Sequence, residues 1–333
     1  MIREMPATTS RFISVVIPSV SGSQQLIELV DRLAPGPRLE VVIADNGLDP
    51  SVVERLRSSS ARVIPMGANF GFGAAVNRAV ARTEGDALVL LNDDLGADRR
   101  FVERLCGRLE TADIAAGVLA MAEDPDVIET AGIVFDRNLD CHDYLAGQRV
   151  AQLGPSVPSP VGPNGGAAAF RREAFAAVGG FDEGFFAYGE DADLAIRLFA
   201  AGARCALAHD AVALHPGSDT SGGYQSLRKA IMVGDSRGYY YRKYGIARRP
   251  AALIVVGAIE VGASLVLARR HRSLEPLRAR ARGFRRCKVE GPQPPASIAT
   301  VNVLEGMRRR YRRSFRHRSR DRRPGSRQDP LRA

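Results

Sequence analysis

One pattern in the first hundred residues constrains the fold more than any other. Four short aliphatic or β-branched runs, FISVVI (12–17), LEVVIA (39–44), ARVIPM (61–66) and ALVLL (87–91), alternate with stretches of helical patterning. Strand, helix and strand in turn build βαβ units on a parallel sheet. Such a sheet binds ligands beyond the carboxyl ends of its strands. Each run here ends in polar or turn residues: Pro18-Ser19, Asp45-Asn46-Gly47, Gly67-Ala68-Asn69 and Asn92-Asp93-Asp94. The pattern therefore predicts an α/β fold with four strand ends facing one crevice.

At 333 residues and 45% hydrophobic, the chain can bury a full core in one large domain or two smaller ones. Beyond residue 110 the alternation weakens. The stretch 136–165, rich in Gly, Pro and polar residues, predicts loops and short strands that shape a second half-site. Helical periodicity returns in FRREAFAAV (170–178) and DADLAIRLFAAG (191–202), with Gly202 as the C-terminal stop, and RCALAHDAVALH (204–215) reads as a strand.

Charge divides the chain. Residues 1–241 carry 22 Lys and Arg against 31 Asp and Glu, a net of −9, whereas 242–333 carry 25 against 6, a net of +19. The basic part predicts an anionic surface or ligand, with anionic lipid, nucleic acid or a polyphosphate as the classes that fit. AALIVVGAIEVGASLVLA (251–268), flanked by Arg248-Arg249 and Arg269-Arg270, is the longest apolar run. Its length is the minimum for a span, and Glu260 in its middle would cost roughly 2–3 kcal/mol on insertion. A span, a helix lying on the domain or in the membrane interface, and an ordinary core helix all fit it. The tail from 305 on has too little apolar content to fold alone. Cys106, Cys141, Cys205 and Cys287 show no metal-ligand spacing and read as inert thiols in a reducing compartment. MIREMPATTSRF has no apolar core of a signal peptide, which predicts a cytoplasmic chain.

LVLLNDDLGAD (88–98) runs a buried strand into two adjacent carboxylates. A carboxylate pair there is a hard-oxygen site suited to Mg²⁺ or Mn²⁺ with the phosphates of a nucleotide. Equally, Asp93 and Asp94 could be solvated or cap the helix beginning near Asp98. A second acidic cluster, in GGFDEGFFAYGEDADLAIRL (179–198), sets Asp182, Glu183, Glu190, Asp191 and Asp193 beside Phe181, Phe185, Phe186 and Tyr188. Carboxylates on a first helical turn suit the macrodipole. Rings beside an acid also raise its pKa and offer a platform for a sugar, which makes Asp191 or Glu190 a candidate general base. GANFGFGAAVNRAV (67–80) contains Gly71-x-Gly73, but Val76 replaces the third glycine of a dinucleotide loop. It reads better as a turn opening a helix, with Asn69 and Asn77 supplying amide contacts and the backbone passing close to a ligand.

The ordered set SVVIPS (14–19), ADNG (44–47), NFGFGAAVN (69–77), LLNDD (90–94), GGFDEGFFAYGEDADLAIR (179–197) and ALHPGS (213–218) resembles the inverting family 2 glycosyltransferases, and within them the bacterial rhamnosyltransferase-like branch. The resemblance spans about residues 12–245. It implies a GT-A fold with a mostly parallel central sheet. The corresponding division is an N-terminal extension (1–11), a GT-A domain (12–245), an apolar and basic helical extension (246–290) and a basic, disordered tail (291–333).

Position by position, the resemblance implies that Pro18, Asp45 and Asn69 line the nucleoside pocket, with Asp45 facing the base. Gly71, Asn77 and Tyr188 join the substrate contacts. Asn92-Asp93-Asp94 matches an Asp-x-Asp metal motif with Asn in its first place, leaving Asp94 as the surer ligand. Asp191 matches the catalytic base, with Glu190 orienting the acceptor or sharing that task. His215 matches a histidine completing the metal or diphosphate site, although by residue type alone it is a strand-end histidine. The implied reaction is a single displacement that moves a sugar, L-rhamnose from dTDP-rhamnose, onto a lipid-linked or polysaccharide acceptor at the inner face of the plasma membrane. Galactofuranose and mannose are the alternative donors. Two rivals are weaker. A nucleotidyltransferase needs a basic Gly-rich loop that PSVSGSQQ (18–25) lacks, and a nucleic-acid-binding role rests on tail charge alone, so no specific nucleic acid is expected.

Overall fold

The computed structural model describes residues 11–216, 226–246, 262, 266, 269–303 and 305. Most of the apolar run 251–268, the tail beyond 305 and the first ten residues lie outside them. Among the described residues, no helix is long and apolar enough to cross a membrane.

The four expected strands form β1 (Ile13–Ser21), β2 (Leu39–Leu48), β3 (Arg62–Pro65) and β4 (Ala87–Leu91). Between them lie α1 (Gln24–Leu33), α2 (Pro50–Arg57) and α3 (Phe72–Val80). β1 is central here, pairing in parallel with β2 from Ile13↔Leu39 to Ser19↔Asp45 and with β4 from Ile13↔Ala87 to Val16↔Leu90. Its Val15, Val16 and Ile17 are fully buried, as expected of a strand covered on both faces. After β4 come α4 (Arg99–Gly107), β5 (Ile114–Met121), β6 (Asp124–Thr130), β7 (Ile133–Phe135), β8 (Cys141–Asp143) and β9 (Ala167–Arg171). α5 (Arg172–Ala177), α6 (Glu190–Ala200), β10 (Cys205–His215), α7 (Leu227–Lys243) and α8 (Glu275–Arg286) complete the main elements.

The main sheet runs β10-β5-β9-β4-β1-β2-β3, with β6 pairing β5, and β7 and β8 form a separate ribbon. β9 is antiparallel to both β4 and β5, and β10 is parallel to β5. Six strands therefore point the same way, and the ends of β1, β2, β4, β5 and β10 share one edge of the sheet. An additional bridge ties the loop after β4 to the end of β10: Gly96 N donates to Leu214 O at 2.8 Å. Asp94 is thereby brought to His215, although β9 and β5 lie between β4 and β10 in the sheet.

Two expectations need correction. The weak alternation beyond residue 110 hides two central strands, β5 and β9. β5 is rich in alanine with one glycine and β9 opens with three alanines, residues of low strand propensity, and bulky side chains lie over them. A Cβ at Gly117 would meet the Phe101 ring of α4 at 2.8 Å. Similarly, Phe170 and Arg171 end β9 rather than opening a helix. The helix expected over 191–202 is α6, and Gly202 follows it at φ +84.

The second correction concerns the C-terminal part. Residues 291–303 fold back onto the domain instead of forming a tail: Thr300 N donates to Phe135 O at 3.0 Å, and Ile298 is buried. Cys287 and Ile298 share one apolar cluster with Phe135, Phe185, Tyr240 and Tyr244. α8 lies directly against α7, where Gly234 and Gly238 face the backbone of Pro276 and Arg280. Only residues without side chains permit helices so close. A Cβ at Gly238 would overlap the Arg280 carbonyl oxygen.

Candidate active site

The shared strand edge opens into a cavity of about 800 Å³. Its lining includes Pro18, Asn69, Gly71, Asn92, Asp93, Asp94, Tyr188, Glu190, Asp191 and His215. The structure thus brings ten of the twelve sequence-derived candidates to one place.

Asp45 and Asn77 stand outside that lining. The Asp45 carboxylate accepts from Gly47 N and Leu48 N at 3.0 and 2.7 Å, closing the turn after β2. Its neighbour Asn46 reaches the cavity instead. The buried Asn46 amide donates to Gly71 O and Asn69 Oδ1 at 3.0 and 3.1 Å and accepts from Phe70 N, so it shapes the whole 69–71 turn. Asn77 is engaged by protein on both sides of its amide: it donates to Phe181 O and accepts from Phe181 N, each at 2.9 Å.

Gly71 explains how the α3 turn meets the 186–191 loop. It has φ +86, and a Cβ there would overlap the Phe186 carbonyl oxygen. That oxygen accepts from Phe72 N at 2.9 Å. On the far side of the same loop, Tyr188 sits at φ +68 and Gly189 at φ +94 just before α6. A left-handed tyrosine is uncommon and costs of order 1–3 kcal/mol, so the surrounding structure must hold it there.

The carboxylates at the end of β4 are deeply placed. Ser19 Oγ donates to Asp93 Oδ2. Burial pushes the Asp93 carboxyl up to about 6, with the adjacent Asp94 charge adding to the rise. Asp94 Oδ1 is buried, makes no hydrogen bond, and lies 3.5 Å from His215 Nε2. His215 Nδ1 in turn lies 2.6 Å from Glu129 Oε2. Burial alone would hold His215 down, but the carboxylates of Asp94 and Glu129 outweigh it and raise the imidazole to about 9. Glu129, on β6, was not foreseen. It lies in a run of acids, DPDVIET, where nothing in the spacing separates a buried acid from solvated ones.

Opposite this group, α6 begins with the acid pair. Burial raises Asp191 first, and Asp143 adds to the shift, while N–H donors at Ala192 and Gly165 favour its charged form. Glu190 is pushed higher, by burial and then by the Asp191 charge, and its Oε2 is buried without a hydrogen-bond partner. Two interacting acids in one site cannot ionise together easily. The N–H donors of Ala192 and Gly165 favour the charged form of Asp191, whereas burial and the Asp191 charge push Glu190 up to about 8. One turn on, buried Asp193 accepts from Arg197, Lys243 and Tyr244 at 2.7, 2.5 and 2.7 Å. Lys243 also reaches Asp182 at 2.6 Å. This network fixes α6 to α7.

Asn164-Gly165-Gly166 threads between the two acidic groups: Asn92 N donates to Gly166 O at 3.1 Å, and Gly165 N points to Asp191. A Cβ at Gly166 would meet the Asn92 side chain at 2.6 Å. The arrangement offers a buried carboxylate pair at one end, the Glu190-Asp191 pair at the other, and space for a substrate between them.

The glycosyl transferase family 2 profile matches residues 14–179, and that of the N-terminal domain of galactosyltransferase matches 156–213. The N-acetylglucosaminyl-diphospho-decaprenol L-rhamnosyltransferase of Mycobacterium tuberculosis is 29% identical over 235 residues, covering 57% of this chain and 75% of that protein. The succinoglycan biosynthesis protein ExoA of Rhizobium meliloti is 30% identical over 212 residues, covering 60% of this chain and 61% of its own length. Among solved structures, a mannosyltransferase from Pyrobaculum calidifontis in complex with GDP-Man and Mn²⁺ superposes with a TM-score of 0.50 at 16% identity, over 82% of this chain and 87% of that one. The fold is therefore the GT-A fold that the strand pattern and motifs predicted.

Proposed function

The chain is a family 2 glycosyltransferase, and from that premise we propose that it transfers L-rhamnose from dTDP-rhamnose to an acceptor in cell-envelope glycan synthesis. The acceptor is lipid-linked or a polysaccharide, met at the inner face of the plasma membrane. The sugar assignment is supported by the 29% identical mycobacterial relative. The match of residues 156–213 to a galactosyltransferase domain favours galactofuranose as the second reading.

The observation that carries the mechanism is the pairing, across one cavity, of the buried Asp93-Asp94 carboxylates with Asp191. Asp94 Oδ1 makes no hydrogen bond, and two adjacent buried carboxylates are costly unless positive charge meets them. The residues therefore fit a divalent cation: Asp94 and Asp93 would hold it, with His215 beside them. When bound, Mg²⁺ or Mn²⁺ supplies the positive charge that stabilises a departing nucleoside diphosphate. Pro18, Asn46, Asn69 and the Gly71 backbone line the nucleotide side. Asp191 takes the proton from an acceptor hydroxyl as that oxygen bonds to the anomeric carbon and the bond to the diphosphate oxygen breaks. Protonated Glu190 donates a hydrogen bond to the sugar or acceptor. Anomeric configuration inverts, with no covalent enzyme intermediate.

The test is release of nucleoside diphosphate over a panel of dTDP-rhamnose, UDP-galactofuranose and GDP-mannose, with Mg²⁺, Mn²⁺ or chelator. Turnover of dTDP-rhamnose that chelator abolishes is the expected result. Preference for another donor moves the assignment to that sugar, and metal-independent release of every donor overturns the site.

A further inference from the structure

β6 departs from regular pairing at one residue. Against β5, Thr130 stands opposite Leu119 and Ile128 opposite Ala120, so one step along β5 spans two along β6 and Glu129 is the extra residue of a β-bulge. Regular alternation would set Glu129 and Thr130 on opposite faces. With the bulge both line the cavity, while Ile128 packs with Val118 and Ala131 in an apolar cluster. We propose that Glu129 is a positioning residue: it orients the His215 imidazole so that Nε2, beside Asp94, is the nitrogen offered to the divalent cation. The inference rests on the divalent-cation reading above and adds a residue that acts on the site only through His215.

The contact itself chooses the nitrogen. Glu129 Oε2 lies 2.6 Å from His215 Nδ1. A carboxylate oxygen accepts, so the hydrogen of this bond belongs to Nδ1. An imidazole engaged at Nδ1 has Nε2 left for a ligand, and a carboxylate behind a ligating histidine fixes both its tautomer and its ring plane. His215 Nε2 lies 3.5 Å from Asp94 Oδ1, which is buried and makes no hydrogen bond. A pair serving the core alone would be turned away from the cavity. Glu129, His215 and Asp94 all line it.

The backbone around His215 is already held. Ala122 N donates to His215 O at 3.2 Å, and Gly96 N donates to Leu214 O at 2.8 Å. What these bonds leave free is rotation of the imidazole about its own side-chain bonds. Glu129 removes that freedom from across β5, since β6 and β10 both pair with the carboxyl end of that strand. The bulge is thus the local feature that lets an acid on β6 reach a histidine on β10.

The experiment titrates the full chain with Mn²⁺ in the presence of the nucleoside diphosphate of its preferred donor and without acceptor, reading free Mn²⁺ by electron paramagnetic resonance. Glu129→Ala should weaken Mn²⁺ binding by about 10–100-fold. Glu129→Gln, whose side-chain carbonyl can still accept from Nδ1, should restore most of that affinity. In a His215→Ala background, Glu129→Ala should make no further difference. Pulsed measurements on the wild-type complex should also show nitrogen coupling to the bound Mn²⁺, a signature that needs no variant to fold. Unchanged affinity in Glu129→Ala, a Gln variant as weak as the Ala one, or absence of nitrogen coupling in the wild type overturns the proposal. An equal loss in the His215→Ala background also overturns it, because the acid would then support the fold rather than the ring. Wild-type protein that binds no Mn²⁺ under these conditions refutes the divalent-cation reading and this proposal with it.

Discussion

Across the cavity, two walls solve different problems by different means. Around the ends of β1 to β3, the nucleotide side is built of backbone and neutral amides, with the β4 carboxylates at its edge: Asn46 alone organises the 69–71 turn by three hydrogen bonds. The acceptor side, from β6 to α7, is built of buried charge. Glu129 with His215, Asp193 with Lys243 and Arg197, and Asp140 with Arg237 all join segments distant in sequence. Neutral amides fix a turn that must fit one shape of ligand. Paired charges fix where α6 sits relative to α7 and leave the Glu190-Asp191 pair lining the cavity. In the proposed mechanism, donor binding falls to one wall and chemistry to the other.

The largest expected effect comes from breaking the chemical wall at its centre. Asp191→Asn keeps the shape but removes the base, so turnover should fall about 10²–10⁴-fold while donor affinity changes little. Stopped assays and calorimetry on the same preparation check both halves of that statement. Next is Lys243→Met, which leaves Asp182 and Asp193 without their shared cation. Breaking a buried ion network in this way costs about 3–5 kcal/mol, readable in chemical denaturation. Adding Asp193→Asn should recover part of the loss. If the single variant is as stable as wild type, the network does not hold α6.

On the donor wall the expected effect is smaller and of another kind. Asp94→Ala removes a ligand, and donor affinity in the presence of metal should fall by about 10–100-fold without stability loss. Calorimetry with and without chelator measures it, and tight metal-dependent binding by the variant would remove Asp94 from the site.

A further effect concerns pH. Burial and the neighbouring Asp191 raise Glu190 from an ordinary value of 4.5 to about 8. A carboxyl raised in the folded state contributes stability below its unfolded value, and that contribution is lost as pH rises through the folded one. Glu190→Gln has no such loss. Its melting temperature relative to wild type should therefore climb between about pH 4.5 and 8 and level off above. A pH-independent difference would mean that Glu190 is ionised in the folded protein.

How legible each wall was in the sequence follows from the same contrast. The nucleotide wall is written in contiguous motifs, each at the end of a β-branched strand, so Pro18, Asn69, Gly71 and the β4 carboxylates could be placed in advance. Even there, one residue decides detail: Asp45 closes a turn while Asn46, one position on, turns inward, because successive strand residues face opposite sides. The acceptor wall is written in pieces. β5 and β9 escaped notice because alanine and glycine carry little strand signal, and they are small because Phe101 packs against Gly117. Glu129 pairs with a residue 86 positions away, a contact that no local spacing encodes. The return of residues 291–303 to the domain is likewise tertiary, fixed by Phe135 and the glycine contact of α7 with α8.

In the proposed mechanism, Asp191 activates an acceptor for one direct displacement at a donor held by the opposite wall. The anomeric configuration of the product, read by nuclear magnetic resonance against that of the donor, tests it most directly. Inversion in the wild-type product is the predicted result. A product that retains the donor's configuration would require a second displacement through a protein nucleophile, and would contradict the assignment of Asp191 as the base.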